Sequence, residues 1–395
     1  MKLELRAFVV EENVVQTQWT HSLNLVNAPT PVKLLNPGQC VRLGVLAIGD
    51  GRDELLQKAT VQGEIKFAGK TSGISLASLA PTKQLKPEGG DFVTGALAAG
   101  GIKNPMLTMA SMGVSPGHWC VPNDAADGTA AIAIEVETPA GHQKLDSATV
   151  QIESFKTGAE TPFTSTDAVF SDFLQTYYRQ PNSARLLPAL RFIVAEEEKK
   201  PGSGGVEIFA AFLTAALKAD PVAAKDFMVR IVAEPQLERA IGLLALQAAG
   251  YDLSSALGKL DADQQAKFKE LPHLDDPFDL TVTQTLASHM DLMWGVFGAT
   301  GQLEPVQTIA SALRWRPEYD DFQAMVKAGK VPKEVTPALM RGVVYTAAGW
   351  SLSLFQLHDP LVADYIEYLI AQPDTPQAVK VELAGLGRNP AFRKQ

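Results

Sequence analysis

Three stretches in the second half of the chain repeat one pattern: an apolar run of helical period, an acid followed by proline, a second apolar run, and a closing proline. They are residues 207–235 (EIFAAFLTAALKADPVAAKDFMVRIVAEP), 291–317 (DLMWGVFGATGQLEPVQTIASALRWRP) and 349–373 (GWSLSLFQLHDPLVADYIEYLIAQP). Asp220, Glu304 and Asp359 each precede a proline expected to open the second helix of a pair. An acid there can accept from the free amides of the first turn and meets the positive end of the helix dipole, while proline starts a helix without wasting a donor. A single helical hairpin would leave its apolar face in water, so the pattern predicts hairpins stacked on one another. The acid–proline steps lie 84 and 55 residues apart, which fits a degenerate α–α array and no fixed-period repeat.

The first 155 residues follow a different period. Val41, Leu43, Val45 and Ala47 alternate with other residues, as do Val61 and Ile65, Ile132, Ile134 and Val136, and Val150 and Ile152. Alternation of this kind marks half-buried strands. Turn chemistry separates them at Asn36–Pro37–Gly38, Gly49–Asp50–Gly51, Asp127–Gly128 and Pro139–Ala140–Gly141. We therefore expect a multidomain β plus α chain. Residues 1–156 form an N-terminal antiparallel β-sandwich of immunoglobulin-like architecture, residues 157–166 (TGAETPFTST) a linker, and residues 167–395 an all-α helical-hairpin repeat domain, superhelix-like in its stacking. Trp119 lies beside Cys120 and not between Cys40 and Cys120, so the spacing of true antibody domains is absent.

Charge narrows the partners. The net charge is −9, with 13 basic against 16 acidic residues through residue 160 and 22 against 28 beyond it. Neither part has the concentrated positive footprint that nucleic acid or an anionic membrane surface requires. Residues 342–357 are uncharged, but the run is short of the roughly 18–20 apolar residues of a bilayer span and is expected as a buried helix, not a membrane span. The N-terminus lacks the apolar core of a signal peptide, so the chain reads as cytoplasmic, or as periplasmic or secreted if a leader has been removed. Cys40 and Cys120 are the only cysteines, and their spacing leaves open a disulfide or two buried thiols.

Three groupings carry chemistry. Met106, Met109 and Met112 recur at every third residue in a stretch, 104–113, expected to be a short helix capped by Asn104 and ended by Gly113. With His118 and Cys120 they make a soft donor set suited to copper, although three methionines packing a helix would show the same spacing. His118 and Cys120, two apart on a strand, also share a face as a base and a thiol would, but no acidic orienter accompanies them. His273, Asp275, Asp276 and Asp279 crowd one proline-flanked loop, where cap aspartates account for them equally well; His289 and Asp291 diverge on a helix. No phosphate-loop, dinucleotide, nucleophile-elbow or zinc-protease motif is present.

The reading is of a non-catalytic scaffold or adaptor that binds a protein or peptide partner through a groove of stacked helices, with the β domain as a second surface and no cofactor. Arg314, Trp315, Arg316 and Tyr319, at the end of the second hairpin, are its expected contact. The alternatives are a copper-binding protein using Met106, Met109, Met112, His118 and Cys120, and a hydrolase with an interdomain site drawing on His118, His273 or Asp275.

Overall fold

Alternating apolar residues become strands wherever a neighbouring strand completes their hydrogen bonds, and the described residues of the first part of the chain supply nine of them. The computed structural model describes residues 3–12, 31–78, 80–83, 110–163, 167–202, 204–271, 274, 278, 287–330, 334, 336–389 and 392. The strands are β1 (Glu4–Glu11), β2 (Leu34–Leu35), β3 (Cys40–Ile48), β4 (Thr60–Phe67), β5 (Lys70–Ser78), β6 (Ala80–Lys83), β7 (Ala110–Cys120), β8 (Gly128–Thr138) and β9 (Gly141–Ile152). They form two sheets, ordered β1-β3-β7-β6 and β2-β9-β8-β4-β5, antiparallel apart from the two-residue β2 beside β9.

Val9, Val41, Leu43 and Val45 of the first sheet share one apolar cluster with Val61, Ile65, Ile132, Ile134 and Val150 of the second. The alternation read from residues 130–136 is borne out residue by residue: Ala130, Ile132, Ile134 and Val136 are buried, and their neighbours are not. β3 is buried on alternate positions and also, from Leu43 onwards, on the intervening ones. A helix, α1 (Arg52–Lys58), packs against β3, β6 and β7 and buries Leu56.

The expected helix at 104–113 is corrected for its described portion. Ala110 to Gly113 belong to β7, where Met112 lies opposite Leu46 and Gly113 opposite Val45; residues 104–109 lie outside the described residues. β7 is held on one side by β3 and on the other by β6. Ladders on both edges outweigh a local preference worth tenths of a kcal/mol per residue.

Of the stretch expected as a linker, residues 157–163 are described. Residues 157–160 complete α2 (Phe155–Glu160), whose cap Ser154 accepts from the Thr157 amide and whose Phe155 is buried. Asp127 accepts from the Thr157 hydroxyl at 2.6 Å and from the Ser154 amide at 2.8 Å. Phe163 then joins a ring cluster with Phe170, Phe173 and Phe192.

From there the chain is mostly helical: α3 (Asp167–Thr176), α4 (Leu186–Lys199), α5 (Gly205–Ala219), α6 (Pro221–Ile231), α7 (Gln236–Ala248), α8 (Ser254–Leu257), α9 (Ala262–Lys269), α10 (Ala287–Thr300), α11 (Leu303–Ser311), α12 (Arg316–Lys327), α13 (Pro337–His358), α14 (Pro360–Ala371) and α15 (Gln377–Ala384). Asp220 and Asp359 cap α6 and α14 as the pattern predicts, each accepting from first-turn amides. Glu304 does not cap. Helix α11 begins one residue earlier, at Leu303, and Pro305 sits inside its first turn, where proline remains tolerable. The closing prolines open further helices: Pro235 is the residue before α7, and Pro317 lies in the first turn of α12.

Among the described residues, most buried apolar residues of the helical part fall into two large clusters, with a small separate one of Phe155, Ala184 and Ala223, and not into one continuous spine. The first gathers α3 to α8, including Leu190, Phe209, Leu213 and Leu246. The second gathers α10 to α15, including Phe297, Ile309, Tyr345 and Tyr365. Helix α10 is the shared wall, with Ala299 in the first cluster and Met293 and Trp294 in the second. It lies directly on α5 at Gly295 and on α3 at Gly298, because these glycines leave room for backbone. A Cβ at 295 would stand 2.6 Å from the Ile208 carbonyl oxygen, and one at 298 would stand 2.6 Å from that of Leu174.

The β part and the helical part meet at the turn before β3. Asn36 is wholly buried; its side chain donates to the Glu153 carbonyl (2.9 Å) and accepts from the Ala184 amide (3.3 Å). Gln39 donates to the Pro181 carbonyl (3.3 Å), and Asn182 donates to the Glu153 carboxylate (2.7 Å). Gly38, at φ 84°, rests on Val222 so closely that a Cβ would come within 2.7 Å of it.

The uncharged stretch 342–357 lies in α13, and it is half-buried where full burial was expected. Val344, Tyr345, Ala348 and Leu352 face the second cluster, whereas Val343, Trp350, Leu354 and Leu357 are exposed. Among the described residues no helix is long and apolar enough to cross a membrane.

Gly295→Ala tests the shared wall. Alanine normally gains about 1 kcal/mol inside a helix, but here its methyl meets an immovable carbonyl, and overpacking of this kind costs about 1–3 kcal/mol. Urea unfolding should show a net loss; a stability gain would mean that α10 and α5 are not in backbone contact.

Candidate functional site

The first candidate place lies at the end of β7. Cys40 and Cys120 face each other in register across β3 and β7 and are joined as a disulfide. While that bridge is closed, Cys120 has no thiolate to offer a metal or a substrate. His118 is exposed, and the carboxylate of Glu12 stands 3.9 Å from its Nδ1. Glu12 is ion-paired to Arg42, which donates through Nε at 3.1 Å. This carboxylate beside His118 was not legible in sequence, because the two lie more than a hundred residues apart and meet only through strand pairing. Met106 and Met109 lie outside the described residues, as do His273, Asp275, Asp276 and Asp279; of Met112 the structure gives the strand position alone. Among the described residues no three His, Cys, Asp or Glu side chains are grouped so as to hold a metal ion. His289 is buried on α10, and burial raises the Asp291 carboxyl above its ordinary value.

The second place is a buried ionic knot. Asp359, the cap of α14, accepts from the Tyr178 hydroxyl at 2.8 Å and from the Arg179 guanidinium at 2.7 Å. Arg179 Nε also donates to the Tyr178 oxygen at 2.8 Å. Burial, and then the Asp359 carboxylate, push the Tyr178 phenol well above its ordinary value. Such a tyrosine is a permanent donor at neutral pH, and every strong polar group of the knot is matched. The knot therefore pins structure and leaves no group free for chemistry.

The third place holds the expected contact residues. Trp315 is 6% exposed and belongs to the second cluster. Arg316 donates to Asp320 (2.9 Å), Glu382 (3.1 Å) and the Tyr345 hydroxyl (3.3 Å). Tyr319 packs on the Tyr345 ring, with centroids 5.1 Å apart. Of the four, Arg314 alone is exposed, its guanidinium 5.1 Å from the Trp315 ring centroid. Residues 312–315 form a 3₁₀ turn joining α11 to α12, in which Ala312, Leu313 and Trp315 are buried and Arg314 is exposed.

Arg314 also borders a cavity of about 380 Å³ between α11, α14 and α15. Its apolar lining includes Leu303, Ala310, Leu369 and Val379, and Gln307 and Gln372 line it too. Asp374, on the loop between α14 and α15, lines it as well. Its lining is divided about evenly between polar and apolar residues, and its size falls in the range that binds small ligands or single side chains of a partner.

Compared with known protein families, with curated proteins and with solved structures, the chain matches none.

Two substitutions separate packing from recognition here. Trp315→Ala should cost about 3–5 kcal/mol of stability in denaturant unfolding, as loss of a buried aromatic does, whereas Arg314→Ala should stay within about 0.5 kcal/mol of wild type. A third reads pH. Burial pushes the Glu367 carboxyl on α14 up to about 7 from its ordinary 4.5. The ionised form is therefore disfavoured in the folded chain, and the penalty is absent below the unfolded value and grows as pH rises to the folded one. Glu367→Gln should match wild type near about pH 4 and exceed it by about 1 kcal/mol near about pH 8, a figure discounted for the solvent the side chain keeps. Equal stability at both pH values would refute the assignment.

Proposed function

We propose that the chain is a non-catalytic scaffold whose helical part captures a protein or peptide partner in the groove between α11, α14 and α15. In this reading the two sheets act as an immunoglobulin-like sandwich, the second recognition or assembly surface, and the helical pairs stack as a degenerate repeat array. The observation that supports it is the groove itself. It offers Leu303, Ala310, Leu369 and Val379 to an anchoring side chain, and Arg314 and Asp374 line it without an ion pair to each other or to any other described residue. Charged groups left solvated beside a cleft of mixed polar and apolar lining suit a peptide that carries both an apolar anchor and polar backbone, since rim charges set orientation while the anchor supplies affinity. The closed Cys40–Cys120 bridge supports an oxidising compartment over the cytoplasm, because reducing compartments keep such pairs as thiols.

The reading is tested by panning a displayed peptide library on the full chain and measuring the selected peptides by calorimetry. Arg314→Glu should weaken binding about tenfold or more, the loss of one hot-spot contact, with the melting temperature unchanged. Selected peptides that bind Arg314→Glu as tightly as wild type would place the partner surface elsewhere.

A further inference from the structure

Helix α13 has a side that its own core does not use. Along it Met340, Val343, Ala347, Trp350, Leu354 and Leu357 follow at steps of three, four, three, four and three residues. This is the heptad period of one helix seated along another, in which apolar residues recur every 3.5 positions. Val343 is 44% exposed, Trp350 41%, Leu354 38% and Leu357 77%, so four of the six remain substantially in water. The opposite side, with Tyr345 and Leu352, is fully buried in the second helical cluster. The hydroxyls flanking the seam are already bonded within the chain. Thr346 donates to the Gly342 carbonyl, Ser351 donates to the Ala348 carbonyl, and Ser353 accepts from the Gly387 amide. Covering the seam would strand none of them.

We propose that this seam is the interface of a homodimer, in which α13 lies antiparallel to α13 of a second copy about a two-fold axis between residues 348 and 349. The seam is complementary to its own reverse. Such an axis sets Ala347 against the partner's Trp350, Val343 against the partner's Leu354, and Met340 against the partner's Leu357. The smallest residue meets the largest at the centre, and medium residues meet medium ones towards the ends. Residues 342–357 carry no charge, and Arg341, between Met340 and Val343 at the start of the seam, is already ion-paired to Glu318 at 3.2 Å, so a second copy meets little like charge along the seam. The antiparallel arrangement also opposes the two helix dipoles, and a two-fold interface uses one patch twice, as a self-complementary surface requires.

The size of the seam sets the expected strength. Its six residues span about 26 Å of helix, and a single helix pair lies below the roughly 1,200 Å² of standard interfaces, so the expected dimer is a weak one. Each copy carries a net charge of −9. Long-range repulsion between copies is screened by salt, so the dimer tightens as ionic strength rises.

Sedimentation velocity of the full chain between about 1 and 200 µM, at low and high salt, tests the proposal. The expected result is a monomer–dimer equilibrium strengthened by salt and weakened about tenfold or more by Trp350→Glu and by Leu357→Lys. Both positions are exposed, so circular dichroism and melting should show the monomer fold intact. Val229→Glu and Val381→Glu, exposed apolar positions off the seam, should leave the equilibrium unchanged. The register is read by oxidative crosslinking: Val343→Cys combined with Leu354→Cys should give covalent dimers, and neither single variant should. A chain that stays monomeric throughout, whether or not a foreign helix binds α13, overturns the proposal. So does a dimer indifferent to Trp350→Glu and Leu357→Lys, and a single-cysteine crosslink at 343 overturns the antiparallel register.

Discussion

The carboxylate of Asp359 is the group whose pairing the helical part can least do without. Taking such a charge out of water costs several kcal/mol, and removing one partner from a buried pair costs about 3–5 kcal/mol, so its neighbours must be held in place. Those neighbours, Tyr178 and Arg179, lie some 180 residues earlier in the chain. They open the short segment that continues through Pro181, Asn182 and Ala184 to the contacts with Gln39, Glu153 and Asn36 of the β part. One stretch of chain thereby joins the sheet cluster, the first helical cluster and the second. The Asp220 cap belongs to the same junction, since it accepts from the Ser183 hydroxyl at 2.6 Å while holding the start of α6.

Recognition surfaces in this molecule are what remains after these junctions are satisfied. Trp315 and Tyr319 are drawn into packing, and Arg316 into a network with Glu382 and Tyr345 that pushes the Tyr345 phenol above its ordinary value, chiefly by burial. Arg314 and Trp350 are left outward. One borders a cavity and the other stands on an exposed helix face, so the groove and the seam make separate demands on a binder. The groove accepts single side chains of a peptide, and the seam accepts a whole helix.

Much of the framework was legible where one physical rule dominates locally. The alternation of Ile132, Ile134 and Val136 marked β8, and the acid–proline pairs at 220 and 359 marked the starts of α6 and α14, because each cap needs only its own first turn. Glu304 misled, since a helix can begin upstream of a proline that its first turn tolerates. Asn104, Pro105 and Gly113 signal a capped helix over residues 104–113, but the strand pairing of residues 110–113 with β3 and β6 is a long-range fact that no local signal contains. The same limit applies to the candidate sites. Trp315 and Trp350 are indistinguishable by type, and burial separates them only through the three-dimensional course of the 3₁₀ turn and of α13. The approach of Glu12 to His118 and the closure of Cys40 on Cys120 likewise depend on register between strands distant in sequence.

Tyr177 and Tyr178 are adjacent, yet their rings enter opposite helical clusters, the first against Phe173 and Phe212 and the second against Phe297. An insertion or deletion just before this pair would turn each ring through roughly a helical step, swinging both out of their sockets at once. This dipeptide is therefore a place where the chain tolerates no change of length, and related sequences should vary their loops anywhere sooner than here.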